Sequence, residues 1–205
     1  MVVRMQTLRL PAASAAEQQA EDGPDPLSSF DPRKVPALDL SIDKLYRGDD
    51  LYGSASIKLR PTARGVKASD IDLDLKGLRI DGGGGWEGET GKTSSWYKGR
   101  LDGKNLADVL KAWGFAPTVT SRDFRLDVDG RWPGSPAAVG LKRFSGSLDA
   151  ALRTGQFVEV EGSAQALRVF GLLNFNSIGR RLRLDFSDLF DKGLAYDRVK
   201  GLLVA

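Results

Sequence analysis

Hydrophobic and charged residues alternate with a period of two in several separate stretches of the chain. The clearest examples are 38–43, 55–60, 71–76 and 124–129. In each of them Leu, Ile, Val, Ala or Phe alternates with Asp, Ser, Lys or Arg. This pattern predicts β-strands with one apolar and one charged face, which is typical of antiparallel sheets with water on one side.

Glycine-containing segments between these stretches predict turns. Residues 81–85 include four consecutive glycines, which indicate a turn with a bend or a close approach of the backbone. Residues 153–155 predict a turn between two further strands, over 142–152 and 156–161. A final strand is expected over 194–205.

Two stretches have the helical period instead. Over 105–113 the apolar residues fall at i, i+3, i+4 and i+7, with Asn105 as the expected N-cap and Gly114 as the expected stop. Residues 163–178 are apolar around most of the circumference, as in a helix that is buried on several sides or lies against lipid. We favour a helix that plugs the end of a sheet, because the basic cluster 180–183 follows the helix and does not line one of its faces.

These patterns divide the chain into three segments. Residues 1–10 are expected to form the trailing strand of a preceding repeat. Residues 11–36 are rich in Ala, Ser, Gln, Pro and acids, which predicts a variable, exposed or disordered loop, with a charged helix over 12–20 as the alternative. Residues 37–205 form the main folded segment. Because it ends on the apolar run 201–205 without a closing turn, we expect a piece of a longer protein whose last strand is truncated.

The composition argues against most catalytic and metal chemistry. The 205 residues include no cysteine and no histidine, so neither disulfides nor thiolate zinc sites can form, and the commonest general base is absent. Carboxylate pairs such as Asp72 with Asp74 recur opposite the apolar residues, and we interpret them as a solvated strand face. The net charge is only +3 without a concentrated basic face, so nucleic acid is not an expected partner.

Apolar residues on one face of every strand can be used in two ways. In a β-sandwich, two such faces close on each other and form a dry core. In an open or scrolled sheet, the same faces line a hydrophobic groove. The alternation alone leaves both arrangements open.

The second half of the chain resembles the C-terminal region of the AsmA-like superfamily, and most closely its YhdP branch. The stretches that carry the resemblance are 167–175 (LRVFGLLNF), 180–182 (RRL), 184–190 (LDFSDLF) and 192–197 (KGLAYD). Weaker matches, in the family's order, extend upstream to residue 85. A run of this length is specific to the branch.

The resemblance implies an envelope protein of Gram-negative bacteria that carries phospholipid from the inner to the outer membrane. Such a protein is periplasmic and is anchored in the inner membrane by an N-terminal helix that this chain lacks. Its expected partners are phospholipid acyl chains, both membranes and envelope proteins. The resemblance implies no catalytic residue, cofactor or metal. An AsmA-like scaffold that assists outer-membrane protein assembly, and a plain β-sandwich binding module, are the alternatives.

We therefore predict a mostly β fold, in which a long, twisted antiparallel sheet forms an open hydrophobic groove. Two short helices, near 105–113 and 163–178, are expected at its edge or end. The candidate lining residues are the apolar members of the alternating stretches: Leu38, Leu40, Ile42, Ile57, Leu59, Ile71, Leu73, Leu75, Phe124, Leu126, Val128, Leu182, Leu184 and Phe186. The candidate residues of the helix at the groove end are Leu167, Phe170, Leu173 and Phe175.

Overall fold

The computed structural model describes residues 1–12, 25–140, 143–157 and 194–204. These residues form a single open sheet whose nine strands follow one another in chain order. The strands are β1 (Val2–Leu10), β2 (Leu38–Arg47), β3 (Asp50–Thr62), β4 (Gly65–Leu75), β5 (Leu78–Glu89), β6 (Lys92–Lys104), β7 (Val119–Pro133), β8 (Ser145–Phe157) and β9 (Leu194–Val204). The first two strands pair in parallel, and every later pair is antiparallel. The predicted mostly β fold with a long open sheet is confirmed, and no second sheet packs on it within the described ranges.

The strand register joins the separate apolar stretches into one surface. Leu73 of β4 pairs with Ile80 of β5, which pairs with Leu101 of β6, and the row continues through Leu126 to Ala150 of β8. Directly paired residues in a sheet share a face, so these residues form one apolar row. The neighbouring row on the other face runs through Asp74, Arg79, Asp102 and Arg125. We call these two surfaces the apolar face and the charged face.

Two predicted turns are wrong, because both segments lie inside strands. Residues 82–85 belong to β5 and pair with residues 96–99 of β6. A Cβ atom on Gly85 would lie 2.3 Å from Nε1 of Trp96, so the glycine makes room for a ring that crosses the strand. The expected close approach is therefore real, although the chain does not turn there. Residues 153–155 continue β8, which is held by β7 on one side and β9 on the other.

An α-helix, α1 (Leu106–Ala112), covers one margin of the apolar face at the position that the helical period predicts. Its Val109 is buried in a cluster with four sheet residues, Val119, Phe124, Leu152 and Phe157. Gly114 has a positive φ of 80°, and its N–H donates to the carbonyl of Lys111, which closes the helix as expected. We call this edge of the apolar face the helix margin.

The predicted N-cap is wrong in its chemistry. Asn105 adopts a left-handed conformation, and its side chain makes no capping bond to a backbone N–H. Its amide instead donates to the carboxylate of Asp108. The hydrogen bond between the Asn105 and Asp108 side chains therefore takes the place of the expected bond from Asn105 to a backbone N–H.

Residues 25–34 form a second cover, at the opposite ends of the strands. The segment ends in a 3-10 helix, Pro32–Lys34, which contacts β4 and β5. Pro32 is fully buried, so the predicted loop packs against the sheet at this residue, although most of residues 25–34 are exposed. Asp25 tethers the segment to Ser135 through two hydrogen bonds. We call residues 25–34 the strap, and the edge that it covers the strap margin.

Several predictions lie outside the described residues. These are the second helix over 163–178 with its candidate residues Leu167, Phe170, Leu173 and Phe175, and the strand that carries Leu182, Leu184 and Phe186. The strand over 156–161 is described only in its first two residues, which end β8.

Candidate functional site

The central part of the apolar face lies between the two covered margins, and we call it the open band. It comprises these half-buried and glycine positions of five strands: Ile71 and Leu73 of β4, Ile80 and Gly82 of β5, Gly99 and Leu101 of β6, Leu126 and Val128 of β7, and Leu148 of β8. Adjacent strands lie about 4.8 Å apart, so β4 to β8 alone span about 19 Å. The band is therefore a broad apolar surface and not a small enclosed pocket.

The predicted lining residues that the structure describes all lie on the apolar face. On β2 and β3, Leu38 pairs with Leu59 and Leu40 pairs with Ile57, which extends the open band toward β1. Ile42 belongs to the same strand face but is only 5% exposed.

The predicted residues of β4 and β7 differ in what covers them. Ile71, Leu73, Leu126 and Val128 are half-buried members of the open band. Leu75 lies at the β4 end next to the helix margin, and Phe124 is only 4% exposed in the cluster with α1. The alternation thus identifies the face, whereas it does not tell which part of the face is open.

Aromatic rings lie over glycines on this face. A Cβ atom on Gly99 would lie 2.5 Å from the Tyr97 hydroxyl, and one on Gly130 would lie 2.0 Å from Cε2 of Phe144. The Tyr97 hydroxyl donates to the carbonyl of Asp81 at 2.7 Å. Burial, together with the negative charge of Asp81, raises the pKa of Tyr97 to about 12. Tyr97 is therefore neutral at physiological pH, and it fills the glycine position with its ring.

The charged face is neutralised by ion pairs between adjacent strands. Lys98 of β6 lies 2.7 Å from the carboxylate of Asp129, and Arg100 lies 3.0 Å from that of Asp127. The hydrogen bond to Asp127 raises the pKa of Arg100 above its usual value. These side chains are exposed, so each pair contributes little to stability and serves mainly to keep this face soluble.

A polar row at the strap margin was not identified from the sequence. It is formed by Val66, Trp86, Ser95 and Trp132, which are cross-strand partners on β4 to β7. Two of the four tryptophans, Trp86 and Trp132, thus lie in this row. The sequence signal for this row is the glycine run that continues directly into Trp86. Because a turn is expected at these glycines, the sequence does not predict that Trp86 pairs with residues of β4 and β6.

The described part of the chain contains neither a membrane-spanning helix nor a metal-binding group. No helix there is long and apolar enough to cross a membrane. No group of three acidic, histidine or cysteine side chains there could hold a metal ion.

Comparison with known proteins identifies the family. The model of the YhdP protein family matches residues 1–204. This chain belongs to the YhdP family. The membership expected from the C-terminal motifs is therefore confirmed, and the match extends to the N-terminal strand as well.

A curated relative of this YhdP-family chain is the intermembrane phospholipid transporter YhdP of Escherichia coli (strain K12). The two are 25% identical over 128 residues, which is 62% of this chain. The matched region is 10% of that protein's length, so this chain spans only a small part of it. No solved structure matches the chain.

Proposed function

We propose that this chain is a segment of a bridge-like envelope protein that carries phospholipid between the inner and outer membranes. The acyl chains would lie on the open band of the apolar face. The observation that carries the proposal is the continuous apolar row from Leu73 to Leu126, whose residues are half-buried and which no second sheet covers within the described ranges. The name of the Escherichia coli relative supports the same substrate class.

The energetics of transfer favour such a surface. Burial of one methylene contributes about 0.8 kcal/mol, so the transfer of an acyl chain of about 16 carbons into water costs on the order of 10 kcal/mol. One leaflet of a bilayer is about 15 Å thick in its hydrocarbon part, which equals about three strand spacings. The apolar face is wider than one acyl chain is long. A chain could therefore move from strand to strand while it stays in contact with apolar side chains.

The proposal includes a periplasmic location and a carrier role without catalysis. It also includes anchoring in the inner membrane. Fractionation of cells that express the intact protein with an epitope tag tests the location and the anchoring. Recovery of the protein in the cytosolic fraction would reject the location.

Site-specific photo-crosslinking in cells tests the lipid path. A photoreactive residue at Leu73 or Leu126 should give phospholipid adducts, because both lie on the open band. The same residue at Asp74 or Asp127 is the matched control, one position along on the charged face. Equal adducts at both sets, or none at either, would reject the proposal.

A second candidate is a scaffold that assists outer-membrane protein assembly. It is favoured by one observation: among the described residues β1 pairs on one side alone, with β2, and its Val2 is 65% exposed. A strand side that is free in the intact protein can accept a nascent strand by backbone pairing. Polypeptide adducts in place of lipid adducts in the same crosslinking experiment would support this candidate.

A further inference from the structure

A row of hydrogen-bond donors lies beside the open band, at the strap margin. Val66, Trp86, Ser95 and Trp132 are cross-strand partners and are all buried. The row contains no charged residue. Along β5 the row lies four residues beyond Gly82 of the open band, which is about 13 Å. A molecule on the open band is therefore within reach of this row.

Two of the three donors in the row are satisfied by the chain that follows β7. Nε1 of Trp132 donates to the carbonyl of Ser135 at 2.8 Å, and Oγ of Ser95 donates to the carbonyl of Gly134 at 2.9 Å. Nε1 of Trp86 is buried and has no acceptor among the described residues. A buried donor without an acceptor destabilises the fold, and it therefore requires a specific explanation.

One carboxylate tethers the cover over this row. Asp25 accepts hydrogen bonds from the N–H of Ser135 at 2.7 Å and from its hydroxyl at 2.6 Å. The same serine carbonyl is the acceptor for Trp132. Release of Asp25 would therefore loosen the strap and remove one constraint on the turn at Ser135, whose carbonyl is the acceptor for Trp132.

We propose that this row binds the ester carbonyl oxygens of a diacyl lipid when the strap opens, an inference that rests on the proposed function. The acyl chains would lie on the open band, and the ester groups would reach the indole N–H of Trp86 with the two neighbouring donors. Carbonyl oxygens fit the row because they are neutral acceptors, whereas a phosphate would require a cation beside it. The hydroxyl of Tyr97 does not compete, because it already donates to Asp81.

The test compares an ester-linked lipid with an ether-linked lipid that lacks the carbonyl groups. The probes are dihexanoyl phosphatidylcholine and its dihexyl ether analogue, and the dissociation constants are measured by calorimetry on the full chain. The wild-type chain should bind the ester about two- to tenfold more tightly, which corresponds to one hydrogen bond. Trp86→Phe should abolish this preference and leave the affinity for the ether unchanged. Trp96→Phe, on the charged face, is the matched control and should keep the preference.

The possible outcomes separate this inference from the proposed function. If the wild-type chain binds neither probe, the proposed function fails and this inference fails with it. If both probes bind equally, or Trp86→Phe keeps the preference, the ester site is rejected while lipid binding stands. Asp25→Asn should strengthen ester binding, because a weaker tether lowers the cost of opening. Unchanged or weaker ester binding by a folded Asp25→Asn variant would reject the role of the strap.

An NMR measurement covers the case in which Trp86→Phe does not fold. The indole N–H resonance of Trp86 in the wild-type chain, assigned by triple-resonance experiments, should shift downfield when the ester probe is added. The ether probe should not produce this shift. Identical responses to the two probes would overturn the proposal.

Discussion

Two leucines on β8 provide a direct test of whether the apolar face is open. Leu148 and Leu152 point to the same face, four residues apart on one strand. Leu152 is 7% exposed in the cluster that contains Val109 of α1, whereas Leu148 is half-buried and belongs to the open band. Their truncation to alanine removes the same atoms, so the difference between the two variants reports what covers each site.

The expected magnitudes follow from the two environments. Leu→Ala removes three carbons at about 0.8 kcal/mol each when the site is fully buried, and an enclosed site adds a cavity term. We expect Leu152→Ala to lower the free energy of unfolding by about 3 kcal/mol. Leu148→Ala should lower it by about 1 kcal/mol, because its side chain is partly exposed and leaves no closed cavity.

Equilibrium urea unfolding of the full chain measures both values. The slope of the free energy against urea should be the same for both variants and the wild type, which shows that the unfolded state is unchanged. Equal losses of about 3 kcal/mol would mean that another layer covers Leu148. The open band, and with it the proposed lipid path, would then be incorrect.

Three further variants test the strap, a ring over glycine and the charged face. Burial acts to raise the pKa of Asp25, but hydrogen bonds from Ser135 and Leu27 outweigh it and lower the pKa below its usual value. The resulting stabilisation is present above about pH 4 and is lost as the pH falls through the lowered pKa. Asp25→Asn should therefore destabilise the chain in thermal melts at pH 7 by more than it does in acid, and an equal loss across this range would contradict the prediction. Gly99→Ala should lower the free energy of unfolding in urea by about 1–3 kcal/mol, because its Cβ would lie 2.1 Å from the carbonyl oxygen of Asp81. Gly83→Ala, with a nearest contact of 3.3 Å, should cost clearly less, and similar costs would refute the close approach at Gly99. A double-mutant cycle of Arg100 and Asp127 should give a coupling of about 0.2–1 kcal/mol that decreases with salt, and a larger salt-independent value would show that this face is covered.

The contrast between the two faces explains why the sheet can be both soluble and apolar. The charged face carries exposed ion pairs such as Lys98 with Asp129. Within the described residues, α1 and the strap cover the apolar face, and both lie at its margins. Both margin covers leave the middle of the strands available, which is what the proposed path for acyl chains requires.

The period-two alternation was sufficient to predict the strands and their apolar face. A side chain in a strand points to the face opposite that of its neighbour, so Leu73 and Asp74 are assigned to different faces by local geometry alone. Local periodicity likewise predicted α1, because residues at i, i+3, i+4 and i+7 share a helix face. The motif over 184–190 indicated the family without any reference to the fold.

The tertiary structure decided everything that depends on a neighbouring strand. Glycines 82–85 form part of a strand and not a turn, because β4 and β6 pair with them on both sides. The ring of Trp96 on β6 occupies the space that a side chain at Gly85 would need. The strap is packed because Asp25 meets Ser135, 110 residues further along the chain. Which parts of the apolar face are covered likewise depends on such long-range contacts. Alternation along one strand therefore specifies a face, whereas the open band exists only once the strands, the helix and the strap are assembled.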